Sequence, residues 1–280
     1  MNQLFMTALY ISEYHEKDTM YNGTIIYGDY ATYNGTFTCE YTTSYPYRKE
    51  SWQGHGVLSV NNKFRTVYRG EFERGDFHGK GVCMWANKIY RGDFQNGKRD
   101  GNGVYTQRFE NQVVVTYKGE WQDGKKNGIG KETVTNENSD EYDFKSYFGH
   151  YKDNDRHGYG FTTWANGDKH EGNYVNDKMH GYGTTSWVNG NKYEGNYVYN
   201  RIQGEGTLLF SDGTRYVGYF LNGDFDGFGV MIFTDGGKYE GNFEQGKEHG
   251  FGIFTDEYGK QFRQRWRYGD LVWSREVTGF

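Results

Sequence analysis

Tyr193-Glu194-Gly195-Asn196-Tyr197 returns as Tyr216-Val217-Gly218-Tyr219-Phe220 and again as Tyr239-Glu240-Gly241-Asn242-Phe243, with His170-Glu171-Gly172-Asn173-Tyr174 filling the same frame upstream. The starts at 170, 193, 216 and 239 are 23 residues apart, and a G-x-G pair follows each: Gly181/Gly183, Gly204/Gly206, Gly227/Gly229 and Gly250/Gly252. Self-similarity at a fixed period marks a repeat architecture, in which each copy is covered by its neighbours. Side chains alternate across a strand, so Tyr193, Gly195 and Tyr197 share one face and Glu194 and Asn196 the other. A glycine between two rings leaves room for a neighbouring ring or backbone. Asn166-Gly167, Asn189-Gly190, Asp212-Gly213 and Asp235-Gly236 read as two-residue type I′ hairpin turns, which need positive φ at both positions. Each repeat is therefore two strands and two turns. The glycine spacing breaks up any long 3.6-residue apolar period, so the fold class is all-β.

The first half carries the same unit less evenly. Tyr68-Gly70-Phe72, Tyr90-Gly92-Phe94, Tyr117-Gly119-Trp121 and Tyr147-Gly149-Tyr151 open repeats, with pairs at Gly79/Gly81, Gly101/Gly103, Gly128/Gly130 and Gly158/Gly160. A first unit starts at Tyr33-Gly35-Phe37, and a damaged last copy at Phe262-Gln264-Trp266 has Gln264 in place of glycine. The expected organisation is an N-terminal extension over 1–32, a repeat array over 33–262 that is irregular at first and regular from 147, and a degenerate repeat or cap over 263–280. Segments 38–52 and 131–146 lengthen two units. The second carries Glu137, Asp140, Glu141 and Asp143 and reads as a solvated loop or a docking element.

The motif Y-x-G-x-aromatic, a short G-K turn and then His/Asp-G-x-G closely resembles the MORN repeat (membrane occupation and recognition nexus). The resemblance implies an elongated, twisted, single-layer antiparallel sheet of about nine hairpin repeats, with a groove along one face. MORN arrays occur in radial-spoke-head proteins of cilia, in junctophilins, in cytoskeletal scaffolds of protists, and beside separate enzyme domains in lipid kinases and lysine methyltransferases. The array here fills the chain, which leaves no room for such an enzyme domain and points to a scaffold.

The totals agree with order and narrow the partners. There are 42 glycines but one proline, and 27 tyrosines within an aromatic share of 19%, whereas disordered chains are poor in rings. A net charge of −5 disfavours nucleic acid and anionic lipid. Cys39 and Cys83 lack metal-type spacing and read as free thiols in a reducing compartment. Residues 1–18 have no basic region and no clear cleavage site, so secretion is not expected. The Asn-Gly-Thr triplets at Asn22 and Asn34 read as turns.

Candidate chemistry is thin. His78, His157, His180 and His249 precede G-x-G pairs, but Asp100, Asn127, Gln203 and Asp226 fill the same slot elsewhere. Adjacent repeats lie ~10 Å apart, too far to share a zinc. Gly124 to Lys131 fails the P-loop spacing. Asp153/Asp155 and Asp224/Asp226 sit in turns, and no nucleophile motif appears, so no catalytic residue, metal or cofactor is expected. The rings of Tyr193, Tyr197, Tyr216, Phe220, Tyr239 and Phe243 form rows that read either as a thin core or, in part, as a partner-binding groove. Arg263, Arg265 and Arg267 alternate on one strand face. They read as a charged edge strand or as a docking strip for an acidic partner, a second copy of the chain (a homodimer) or lipid headgroups.

The function expected from sequence is a non-enzymatic scaffold in the cytoplasm, a subunit of a ciliary axonemal (radial-spoke-like) or cytoskeletal assembly. The alternatives are a membrane tether that binds phospholipid headgroups and a regulatory module for a separately encoded enzyme.

Overall fold

A computed structural model describes residues 20–27, 31–41, 48–61, 65–110, 112–135 and 144–277. Every element among them is a strand. The chain divides into two compact units, residues 1–139 with 152–154, and residues 140–151 with 155–280.

The first unit holds β1 (Met20–Tyr27), β2 (Ala31–Tyr41), β3 (Arg48–Val60), β4 (Thr66–Glu73), β5 (Asp76–Trp85), β6 (Lys88–Gln95), β7 (Lys98–Arg108), β8 (Val114–Gln122) and β9 (Lys125–Thr135). Each pairs antiparallel with the next. The lengthening at 38–52 is strand where it is described: β2 and β3 stay in register out to Tyr41 opposite Arg48. Residues 42–47, and the acidic positions Glu137, Asp140, Glu141 and Asp143, lie outside the described residues.

The second unit holds β10 (Phe144–Lys152), β11 (Asp155–Trp164), β12 (Lys169–Val175), β13 (Lys178–Ser186), β14 (Lys192–Val198), β15 (Arg201–Leu209), β16 (Arg215–Leu221), β17 (Asp224–Ile232), β18 (Lys238–Glu244), β19 (Lys247–Thr255), β20 (Gln261–Arg267) and β21 (Asp270–Glu276). From β11 to β21 it is the same antiparallel meander.

One repeat shows why these residues make this sheet. Gly195 and Gly206 face each other across β14 and β15. The Tyr193 ring lies over that pair, and a Cβ on Gly206 would stand 2.6 Å from the ring's Cε2. The hydroxyl donates to the Asn196 carbonyl at 3.1 Å. The same bond, from a tyrosine to the carbonyl three residues on, is made by Tyr33, Tyr68, Tyr90, Tyr117, Tyr147 and Tyr216. The glycines therefore create the seat, and the phenol both fills it and satisfies a backbone acceptor.

The second aromatic of each motif locks repeats together. Tyr193 meets Tyr197 edge to face at 5.3 Å and Phe220 of the next repeat at 5.1 Å; Tyr216 does the same with Phe220 and Phe243. These six rings form one core cluster of the second unit, backed by Met179, Ile202, Leu208 and Phe225. A further slot stacks on the seated ring. It holds Phe77 on Tyr68 at 3.8 Å and Phe225 on Tyr216 at 3.9 Å, but a cation at Arg99, Lys126 and Arg156, over Tyr90, Tyr117 and Tyr147. Cations on ring faces are attracted by the ring quadrupole, so the slot accepts both chemistries.

The turns differ from the sequence reading. At Asn166-Gly167 only the glycine has positive φ, and the same holds at Asn189-Gly190, Asp212-Gly213 and Asp235-Gly236. These are three-residue loops in which a left-handed glycine ends a tight turn, as in the Gly167 N–H to Trp164 carbonyl bond of 3.1 Å. The cause is the side chain. Asn166, Asn189, Asp212 and Asp235 each accept a hydrogen bond from the backbone N–H two residues on, which holds that residue at negative φ. Positive φ at both central residues occurs at the opposite ends of the strands, at Asn176-Asp177, Tyr199-Asn200, Asn222-Gly223 and Gln245-Gly246. Those turns are stitched to the preceding repeat: Gly223 N–H donates to Ile202 O at 2.9 Å and Gly246 N–H to Phe225 O at 3.0 Å.

Candidate interaction face

Alternation along each strand gives every unit a ring face, just described, and an open face. In the second unit the open face is aromatic. Tyr159, Tyr182, Phe228 and Phe251, the middle residues of four G-x-G pairs, are 46%, 56%, 59% and 65% exposed. Phe161 and Tyr219 add two more exposed rings. The equivalent G-x-G positions of the first unit are His55, Lys80, Asn102 and Ile129. There, acidic side chains are consumed locally. Glu71 accepts from the Lys80 N–H, Asp93 from the Asn102 N–H and Glu120 from the Ile129 N–H, and Lys80 also pairs with Asp93.

On the second unit's open face carboxylates meet phenols instead. Tyr182 donates to Glu194 at 2.8 Å, Tyr159 to Glu171 and Tyr219 to Glu205. These hydrogen bonds hold the three phenols above their ordinary pKa, because losing the proton would set two anions side by side. Glu240 is paired with Lys238 at 2.7 Å, but among the described residues no Lys or Arg pairs with Glu171, Glu194 or Glu205. Glu205 also interrupts the aromatic row, and an open depression of about 470 Å³ lies there, walled by Tyr182, Tyr219 and Phe228 with Glu194 and Glu205 inside it.

The residues singled out from sequence fall in two places. Tyr193, Tyr197, Tyr216, Phe220, Tyr239 and Phe243 are buried on the ring face as part of the core. Arg263, Arg265 and Arg267 are exposed on β20. That strand is not an edge, because β21 pairs along it with Arg263 opposite Arg275 and Arg265 opposite Trp273. Arg265 lies over the Phe251 ring at 5.5 Å. The exposed rings escaped the sequence reading, though a signal was there: if Gly206 must face the ring layer, the residue before it must face away.

The other weighed residues have ordinary settings. Cys83 is a buried free thiol whose pKa burial pushes up to about 11, an environment that suppresses the thiolate; the side chain of Cys39 lies outside the described residues. His78 sits 3.3 Å from Glu73 and His249 3.4 Å from Glu244. Among the described residues no three His, Cys, Asp or Glu side chains gather to hold a metal ion.

Comparison with curated proteins finds no match for the chain. The family model described as MORN repeat matches eight times, over residues 68–88, 90–108, 117–138, 147–169, 170–192, 193–215, 216–238 and 239–257. The seat of Tyr33 on Gly35 and Gly56, with its hydroxyl bonded to Thr36 O at 2.7 Å, repeats that geometry outside the matched residues. With more than half its length in matched repeats of one kind, each built on a ring seated over paired glycines (tyrosine in seven, His170 in one), the chain belongs to the MORN-repeat family.

Proposed function

We propose that the chain is a non-enzymatic interaction scaffold, a subunit of a larger protein assembly, and that it engages its partner through the open face of the second unit. The observation that carries this reading is the row of exposed rings. Tyr159, Phe161, Tyr182, Tyr219, Phe228 and Phe251 face solvent on the side opposite the buried, seated tyrosines. Rows of exposed aromatic surface mark partner sites, and aromatic side chains dominate binding hot spots. The resemblance to radial-spoke-head and cytoskeletal scaffold proteins favours an axonemal or cytoskeletal assembly in the cytoplasm.

Cross-linking mass spectrometry after affinity purification from the native source tests this. Cross-links from β11 to β19 to fixed structural proteins support the scaffold role, and their loss in Phe228→Ser/Phe251→Ser ties it to the open face. A second reading, lipid tethering, draws on the exposed Arg263, Arg265 and Arg267. It predicts salt-sensitive recovery with vesicles of anionic lipid that Arg263→Glu/Arg265→Glu abolishes.

A further inference from the structure

We infer that the open face of the second unit receives a lysine- or arginine-rich peptide segment of its protein partner, seated over the depression at Glu205. The inference rests on the scaffold reading and specifies the chemistry of the occupant. It starts from the contrast between the two units. In the first, acidic side chains of this face are capped by backbone amides or paired with lysine. In the second, Glu171, Glu194 and Glu205 are held only by tyrosine hydroxyls, which orient a carboxylate without neutralising it.

Placement sharpens the argument. Glu194 is opposite Thr207, and Glu205 lies two residues before Thr207 on the same face. The two carboxylates are thus diagonal neighbours, ~7–8 Å apart at the backbone, close enough to serve successive outward side chains of one extended segment. Tyr182, Tyr219 and Phe228 stand beside them, more than half of each phenyl wall open to solvent or nearly so. Lysine and arginine carry an apolar stem and a cationic head, and a ring face next to a carboxylate satisfies both. An acidic segment would meet two carboxylates that have no basic partner, and a purely apolar one would strip water from them without compensation. Glu205 stands where neighbouring repeats place Tyr182 and Phe228, so the position that opens the depression is also the one that charges it.

The test is selection of a random 16-residue peptide library displayed on phage against the full chain, followed by affinity measurement of the selected peptides at two salt concentrations. The expected result is a basic excess in the binders, affinity that falls with salt, and a loss of about fivefold to tenfold for Glu194→Gln/Glu205→Gln. Glutamine still accepts the tyrosine hydrogen bonds, so the fold is unchanged, and circular dichroism confirms it. Selected peptides without basic excess, or with equal affinity for the glutamine variant, overturn the inference. If those peptides still lose affinity in Tyr182→Ala/Phe228→Ala, the open face remains the partner site and only the cation chemistry falls. If neither pair of substitutions matters, or no peptide is selected, both readings fall. Sedimentation that shows a dimer lost in Arg263→Glu/Arg265→Glu assigns the face to a second copy and likewise overturns it.

Discussion

His170 Nδ1 stands 2.9 Å from the Thr185 hydroxyl, which also lies 2.6 Å from the Tyr197 hydroxyl, while His170 Nε2 is buried with no partner. His170 occupies the seat that tyrosine fills in the repeats on either side, over Gly172 and Gly183. The imidazole is too short to reach the carbonyl three residues on. His170→Tyr should therefore supply the missing donor, leave the Thr185–Tyr197 pair intact, and raise stability by about 1 kcal/mol. Urea denaturation followed by tyrosine and tryptophan fluorescence measures the change; an equal or lower midpoint refutes the assignment.

Burial lowers the His170 pKa from its ordinary 6.5 to about 4. The unfolded chain therefore takes up a proton between those values that the folded chain refuses, and stability must fall as pH drops through that window. No loss from this group is expected above pH 6.5. By pH 5 the loss is on the order of 2 kcal/mol, and it levels off below pH 4. Melting curves of the wild type and His170→Tyr between pH 7.5 and 4 should diverge across this range, and parallel curves would show that His170 is not the source.

Two glycines separate crowding from backbone strain. Gly206→Ala drives a methyl into the Tyr193 ring and should cost about 3 kcal/mol, at the upper end for overpacking. Gly236 has φ of +91° with nothing within 4 Å of a Cβ, so Gly236→Ala carries only the left-handed penalty, ~1–2 kcal/mol. Chemical denaturation of both variants should rank them in that order.

Arg99 stacks its guanidinium 4.1 Å from the Trp121 ring and sits in the slot that Phe77 and Phe225 fill in other repeats. Arg99→Phe should be tolerated to within about 1 kcal/mol, since it keeps ring stacking and removes a buried charge. Arg99→Ala should cost ~2 kcal/mol or more by opening the slot. If phenylalanine is as damaging as alanine, the guanidinium is needed for its bond to the Gly124 carbonyl and not for covering rings.

Much of the fold was legible because one constraint repeats. Tyr193 and Tyr216 need glycine pairs, and paired glycines 11 residues apart (Gly195 and Gly206, Gly218 and Gly229) declare both the strand register and the ring face. The turn types were not legible, since Asn166-Gly167 suits two geometries and the choice depends on whether the Asn side chain caps the backbone beyond it. The open face was harder to see. Its rings recur at Tyr159, Tyr182, Phe228 and Phe251 but fail at Glu205, and that exception was visible only once the sheet showed which way each residue points.

Tyr193 and Tyr216 are each bonded to a carbonyl three residues away and packed against glycines of their own hairpin, and beyond their own repeat each ring meets the second aromatic of the next one. Nothing in that arrangement refers to position along the chain. A 23-residue cassette such as 193–215 can thus be duplicated or excised at the DNA level without disturbing the pairing on either side, because Lys192 on β14 and Arg215 on β16 occupy equivalent places, both opposite Leu209 of β15. Length in this architecture is an adjustable quantity, set by unequal recombination and open to an engineer who needs docking positions moved by one fixed step.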